Sequence, residues 1–199
     1  MNRRVWYPIM EYWKDLNDLL EIPVQKSYSH AINQYIKNVI HGGSYYDDSL
    51  SFKGNMKYKR DDGLVIDLLD SATGIKSFSL LQTLLRNGVL SENTLLLIDE
   101  PEAHLHPQWI VEYARIIIML HKKLGTKFFI ASHSTDFVSA MKYIAEKERV
   151  SKSVSFYLVE EDLNKPFTDN YKSIGPDIEP IFASFNKSVD NIGEYGGWQ

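Results

Sequence analysis

The stretch TLLLIDEPEAHLHP, residues 94–107, decides the fold. Its apolar run, Leu95 to Ile98, is bounded by turn-forming residues and predicts a buried strand. An acidic pair, Asp99 and Glu100, closes that strand. Pro107 then opens a helical pattern, at the first-turn position where a missing N–H is tolerated.

Working outward, strands alternate with amphipathic helices. GIKSFSLLQTLLRNG, residues 74–88, puts Phe78, Leu81, Leu84 and Leu85 on one helical face and stops at Gly88. Residues 107–124 predict a long helix and TKFFIAS, 126–132, a second apolar strand. TDFVSAMKYIAEKE, 135–148, predicts a helix capped by Ser134 or Thr135. SVSFYLVE, 153–160, reads as a third strand, and the tail holds a short helix around 177–188. This alternation predicts an α/β fold, with a mostly parallel sheet flanked by helices.

Upstream, Trp6, Ile9, Met10, Trp13, Leu16 and Leu20 fall at helical spacing, Pro23 interrupts, and Tyr28, Ile32, Tyr35, Ile36, Val39 and Ile40 repeat the pattern. An N-terminal helical hairpin is expected, with Trp6, Trp13 and Tyr35 forming its internal seam in preference to the alternative, a protein-binding or base-stacking surface. HGGSYYDDSLSFKG, 41–54, reads as a polar connector, and NMKYKRDDGLVIDLL, 55–69, as two short strands around an Asp-Gly turn. The expected domains are residues 1–53, hairpin and connector, and 54–199, the α/β body.

With 44% hydrophobic and 24% charged residues the composition is that of a soluble globular chain. A net charge of −4 argues against wholesale coating of nucleic acid. There are no cysteines, which excludes disulfides and thiolate metal sites and fits a cytoplasmic location. No signal peptide is read at the N-terminus, and no apolar run approaches the roughly 20 residues of a membrane helix.

Ligands of open parallel sheets gather beyond the carboxyl ends of the strands. Two such ends carry polar side chains here: Asp99-Glu100, and Ser132-His133-Ser134. A single acid there would read as a cap or an ion-pair member. Two adjacent carboxylates past a buried strand repel each other unless a cation or proton intervenes, and Mg²⁺ is the hard ion that one or two carboxylates hold while phosphates complete its shell.

LLLIDEPEAHLHP resembles the Walker B strand and D-loop of ABC-type ATPases, in the group that contains SMC, RecF and OLD-like proteins. IASHS (130–134) resembles that group's switch-histidine strand, and SATGIKS (71–77) a divergent signature loop. The resemblance covers residues 64–160 and implies a P-loop NTPase fold with ATP and Mg²⁺ as cofactors. It implies Asp99 as the Mg²⁺ ligand, Glu100 as the base that polarises the attacking water, and His133 as the γ-phosphate sensor. Glu102, His104 and His106 would belong to the D-loop facing a partner subunit. Gly74, with Lys76 beside it, would present the signature helix to the partner's nucleotide. Ala72 stands where the family has its phosphate-contacting serine, so Ser71 or Thr73 would supply the hydroxyl.

No Gly-x-x-x-x-Gly-Lys-Ser/Thr loop occurs in the sequence. The resemblance therefore implies the C-terminal half of an ATPase head, incomplete because the N-terminal lobe with Walker A is absent. The isolated chain is expected to be inactive and to expose an apolar sheet face. Expected partners are ATP, itself or a related head as a dimer, the missing Walker A lobe and, through the intact protein, DNA; no membrane is expected. Families of this resemblance act in DNA repair or prokaryotic defence. The alternative is a non-catalytic dimerisation or scaffold module derived from such an ATPase.

Three smaller features complete the sequence. Glu102, His104 and His106 alternate, so an extended loop would point all three the same way, as a zinc site needs. KYKR, 57–60, could touch phosphates or be a solvated strand face. SHSTD, 132–136, lacks the glycines of a nucleophile elbow and is no hydrolase site.

Overall fold

The computed structural model describes residues 18–25, 29–47, 55–161 and 168–186. The chain divides into two compact units, Met1–Ala131 and Ser132–Gln199.

In the first unit, helix α1 (His30–Ile40) buries Ile32, Ile36 and Ile40, spaced four apart along one face. It is the second helix of the expected hairpin. Residues 18–21 are helical, and the rest of the first helix, with Trp6 and Trp13, lies outside the described residues. Tyr35, the described member of the expected seam, is half-buried and reaches a different helix. Its hydroxyl donates to the Glu112 carboxylate and accepts from Arg115 Nη1 at 2.6 Å, which ties α1 to helix α3 (Pro107–Leu124).

The expected connector contains strand β1 (Gly42–Asp47), a departure from the sequence reading. It pairs antiparallel with β2 (Asn55–Arg60), which pairs antiparallel with β3 (Val65–Asp67). The β1–β2 pair thus spans the boundary drawn between residues 53 and 54. The Asp-Gly turn forms as expected: Gly63, at φ +93°, sits where a side chain would be strained, and Arg60 N–H donates to Leu64 O at 2.9 Å.

Helix α2 (Thr73–Arg86) contributes Phe78, Leu81, Leu84 and Leu85 to the core, and α3 contributes Ile110, Tyr113, Ile117 and Leu120. Phe78 meets Trp109 and Tyr113 edge-on, with centroids 5.4 and 5.2 Å apart. Each such side chain contributes about 1.5–3 kcal/mol on burial, so the three helices stabilise one another through this shared layer. Gly125, at φ +74°, ends α3.

Strands β4 (Leu95–Asp99) and β5 (Lys127–Ala131) pair in parallel, Leu95 opposite Lys127 through Asp99 opposite Ala131. The strand expected to be buried is open on one face: Leu95, Leu97 and Phe129 are 57, 61 and 54% exposed. Residues of one strand alternate between faces, so the face carrying Leu95 and Leu97 also carries Asp99. The anticipated apolar sheet face is therefore present.

In the second unit, helix α4 (Thr135–Lys147) is capped by Ser134, whose Oγ accepts from Phe137 N at 3.2 Å. Strand β6 (Phe156–Glu161) pairs antiparallel with β7 (Asp169–Gly175), and a helix, α5, spans 179–186. The expected mostly parallel sheet is corrected here: β4–β5 is the parallel pair among the described residues, and the remaining ladders are antiparallel. β6 takes the polar β7 strand as its neighbour. Val138, Ile178 and Ile181, with Phe156, Leu158 and Ile174 against them, form this unit's core. No helix among the described residues is long and apolar enough to cross a membrane.

Candidate functional site

At the end of β4 the chain changes direction within one residue. Asp99 is the last strand residue, exposed, on the open face of the sheet. Glu100 turns out of the strand with φ 45°, a left-handed conformation that L-residues adopt at a cost of roughly 1–2 kcal/mol. Its N–H donates to Ala131 O at 2.9 Å, so the neighbouring strand holds the turn. Strained backbone of this kind, over-determined by its surroundings, clusters at functional sites.

Both carboxylates face solvent. The strand that read as buried thus ends in two exposed acids. What remains is the donor chemistry: an exposed aspartate at a strand end, with a glutamate beside it. No group of three or more His, Asp or Glu side chains among the described residues could hold a metal by itself. That donor set fits Mg²⁺, which takes one or two carboxylates and completes its shell from phosphate and water, and does not fit zinc.

The loop after Glu100 is folded, not extended. Ala103 N–H donates to Glu100 O and Leu105 N–H to Glu102 O, each at 2.9 Å, and His104 is left-handed at φ 61°. Two successive turns destroy the alternation that would have aligned Glu102, His104 and His106, and the zinc reading falls with it. His104 and His106 are exposed. His106 acts locally, since its Nδ1 accepts from Gln108 N at 3.4 Å and so caps α3.

The loop before α2 separates the two hydroxyl candidates. Ser71 is buried and its Oγ donates to Leu68 O at 2.7 Å, inside the short helical turn Leu68–Asp70. Thr73 is exposed at the first position of α2, whose cap residue Ala72 offers no side-chain acceptor. The first N–H groups of α2 therefore lack a side-chain cap. Lys76, one turn on, is half-buried.

Gly74 is fixed by something the sequence reading missed. A Cβ there would lie 2.8 Å from Trp109 Cε3 and Cζ3, and 3.0 Å from Leu105 Cδ2. The glycine lets α2 close onto α3 and the folded loop. Trp109, in the first turn of α3, was the available signal: a large ring at a helix start needs a small facing residue.

His133 lies two residues past the end of β5, exposed, in the second unit. Beside it Ser132 Oγ accepts from Ser134 N at 3.1 Å. The strand ends bearing the two polar clusters are thus those of neighbouring parallel strands.

Comparison with known proteins finds a family model, partial sequence relatives and structures of similar fold. A family model described as "AAA domain, putative AbiEii toxin, Type IV TA system" matches residues 6–139. The Old nuclease of Escherichia phage P2 is 31% identical over 96 residues, 48% of this chain and 16% of that protein. The energy-coupling factor transporter ATP-binding protein EcfA3 of Clostridium perfringens is 35% identical over 72 residues, 36% of this chain and 25% of that protein. The matched spans are thus a quarter or less of those relatives' lengths. Among solved structures, the Smc head domain of Pyrococcus yayanosii aligns with a TM-score of 0.56 at 11% identity, over 90% of this chain and 30% of that one. A chain from a study of ATP-driven dimerization and DNA-stimulated activation of SMC ATPases aligns with a TM-score of 0.54 at 11% identity, over 92% of this chain and 96% of that one. At such identity the likeness speaks for the fold.

Proposed function

The chain belongs to the AAA-domain family whose model spans residues 6–139, and from that premise we propose that it is the signature and Walker B half of an ABC-type ATPase head. The observation that carries this reading is the end of β4, where Asp99 and a left-handed Glu100 stand side by side, pinned by the Glu100–Ala131 hydrogen bond to the parallel neighbour strand.

Asp99 is the residue suited to hold Mg²⁺, which when bound neutralises phosphate charge. Glu100 orients a water and takes its proton as the terminal phosphate is attacked. His133 reads the presence of that phosphate. Thr73, better placed than the engaged Ser71, supplies the hydroxyl of the signature loop, with the N–H groups of Gly74 and its neighbours and with Lys76 directed to a nucleotide on a second head. Glu102, His104 and His106 meet that head. The lobe carrying Walker A covers the open face of β4–β5, where Leu95, Leu97 and Phe129 now meet water. The assembled protein works in the cytoplasm, in DNA repair or prokaryotic defence, and reaches DNA as a dimer.

One specific observation favours the scaffold alternative. The two most family-like residues of the signature loop have structural uses here: Ser71 closes a turn, and Gly74 makes room for Trp109.

Calorimetry with MgATP decides the first point, because most phosphate-binding groups lie on the Walker A lobe. The isolated chain should bind weakly and hydrolyse nothing measurable; tight micromolar binding would refute the assignment. Assembled with a Walker A lobe, the Glu100→Gln variant should retain ATP binding and lose about 10²–10⁴-fold in turnover, the worth of a general base. Unchanged turnover would leave the scaffold reading in possession.

A further inference from the structure

A cavity of about 390 Å³ opens among α1, β1, β2 and α2. Gln82 and Arg86, on its wall, lie two to three turns along α2 from Gly74, about 12–18 Å of helix rise, so this is not the signature loop. Lys37, Lys59, Arg60 and Arg86 line it, against the single carboxylate of Asp61.

Two of these cations are compensated. Lys37 lies 3.7 Å from Asp61, and Arg60 donates to Asp62 through Nε at 2.9 Å and Nη2 at 2.5 Å. The other two are not. Arg86 Nη1 donates to Ser44 O at 2.5 Å, a neutral carbonyl that orients the guanidinium without cancelling its charge. Lys59 has no carboxylate within ion-pair distance among the described residues. In a chain of net charge −4, two uncancelled cations in one cavity form a local site of opposite sign.

An independent feature points into the same space. Gln82 is only 2% exposed, yet it lines the cavity. Its Oε1 accepts from Ser44 N at 2.9 Å and from Ser44 Oγ at 3.1 Å. A backbone N–H can only donate, so the amide orientation is fixed and Nε2 is the free end. No protein acceptor meets Nε2 among the described residues. Gly43, cross-strand partner of Lys59, keeps the amide uncovered: a Cβ there would sit 3.6 Å from Oε1 and 3.8 Å from Nε2. Nε2 is thus open to the cavity, where a bound acceptor would complete its hydrogen bonding.

We propose that this cavity binds a phosphate group, taken by Gln82 Nε2, the Arg86 guanidinium and the Lys59 ammonium. A phosphate offers several acceptor oxygens and enough negative charge for two cations, which a lone carboxylate does not. Two sources carry that chemistry, a small phosphorylated ligand and a nucleic-acid backbone. The site does not depend on the ATPase reading.

The test uses the full chain with two probes, pyrophosphate by calorimetry and a short fluorescein-labelled DNA duplex by anisotropy. Pyrophosphate should bind at one saturable site. Lys59→Gln should weaken it roughly tenfold, the size of one charge-assisted hydrogen bond. Gly43→Ala, which adds one methyl group in ordinary contact with the Gln82 amide, should also weaken binding while leaving the melting temperature unchanged. Lys152→Gln, in the second unit, should do nothing. If pyrophosphate displaces bound duplex, and Lys59→Gln lowers the salt dependence of duplex binding by about one counterion, the backbone is the source. If pyrophosphate binds without such competition, the source is a small ligand. Failure of pyrophosphate to bind, or equal binding by wild type and both cavity variants, overturns the proposal.

Discussion

Replacing Gly74 by alanine tests whether this glycine serves packing. The added Cβ would meet two Trp109 ring carbons at 2.8 Å, against an ordinary closest contact of 3.4 Å, so the ring must retreat by about 0.6 Å. It cannot do so freely, because its edge already meets Phe78. Overpacking of this kind costs about 1–3 kcal/mol. Alanine returns up to about 1 kcal/mol through helix propensity, leaving a net loss of about 1–2 kcal/mol. For a chain of this size that lowers the melting temperature by about 2–8 °C, readable by circular dichroism. The decisive comparison repeats the substitution in a Trp109→Ala background. With the ring gone and only the mobile tip of Leu105 nearby, Gly74→Ala should become neutral or stabilising by up to about 1 kcal/mol. A wild-type-like melting temperature for Gly74→Ala in the Trp109-containing chain would refute the packing account.

Three further outcomes are expected. The Asp62 carboxyl should titrate at about 2, held down first by its hydrogen bonds from Arg60 and then by the Leu64 N–H. Its pKa is depressed on folding, so its contribution to stability is present above the ordinary value of 3.8 and is lost as pH falls toward 2. NMR titration should see the midpoint rise in Arg60→Gln, and a wild-type midpoint near 4 would count against the pairing. Tyr58→Phe removes a buried hydroxyl that donates to Ile40 O at 2.5 Å, and should cost about 1–3 kcal/mol in urea unfolding at unchanged slope. An unshifted midpoint would show that bond to be idle. Leu97→Lys should change stability by no more than about 0.5 kcal/mol, since the side chain is already 61% exposed, yet reduce concentration-dependent association in light scattering. A strictly monomeric wild type at all concentrations would contradict the part assigned to the open sheet face.

Local signals were legible where the physics is local. Pro107 at a helix start and Gly125 in a left-handed stop bound α3 at the predicted residues, and the Asp-Gly turn between β2 and β3 follows from the glycine at position 63. The acidic pair was legible too, since a short apolar run with carboxylates at its end needs no tertiary information. Strand β1 was not. GGSYYD has the composition of a connector, and it becomes a strand because β2 supplies its ladder and Gln82, 38 residues away from Ser44, satisfies that serine's N–H. The polar β7 strand escaped for the same reason.

The amino-acid order by itself determined that a strand ends in Asp99-Glu100 and that helices flank it, because period and turn chemistry act over a few residues. Only the folded chain decided that β4 keeps one face in water, that Glu100 leaves the strand in a left-handed turn, and that Gly74 yields its space to an indole ring. The cationic cavity belongs with these. Its charged members run from Lys37 to Arg86, and a charge cluster assembled from three separate elements has no spacing to read in one dimension.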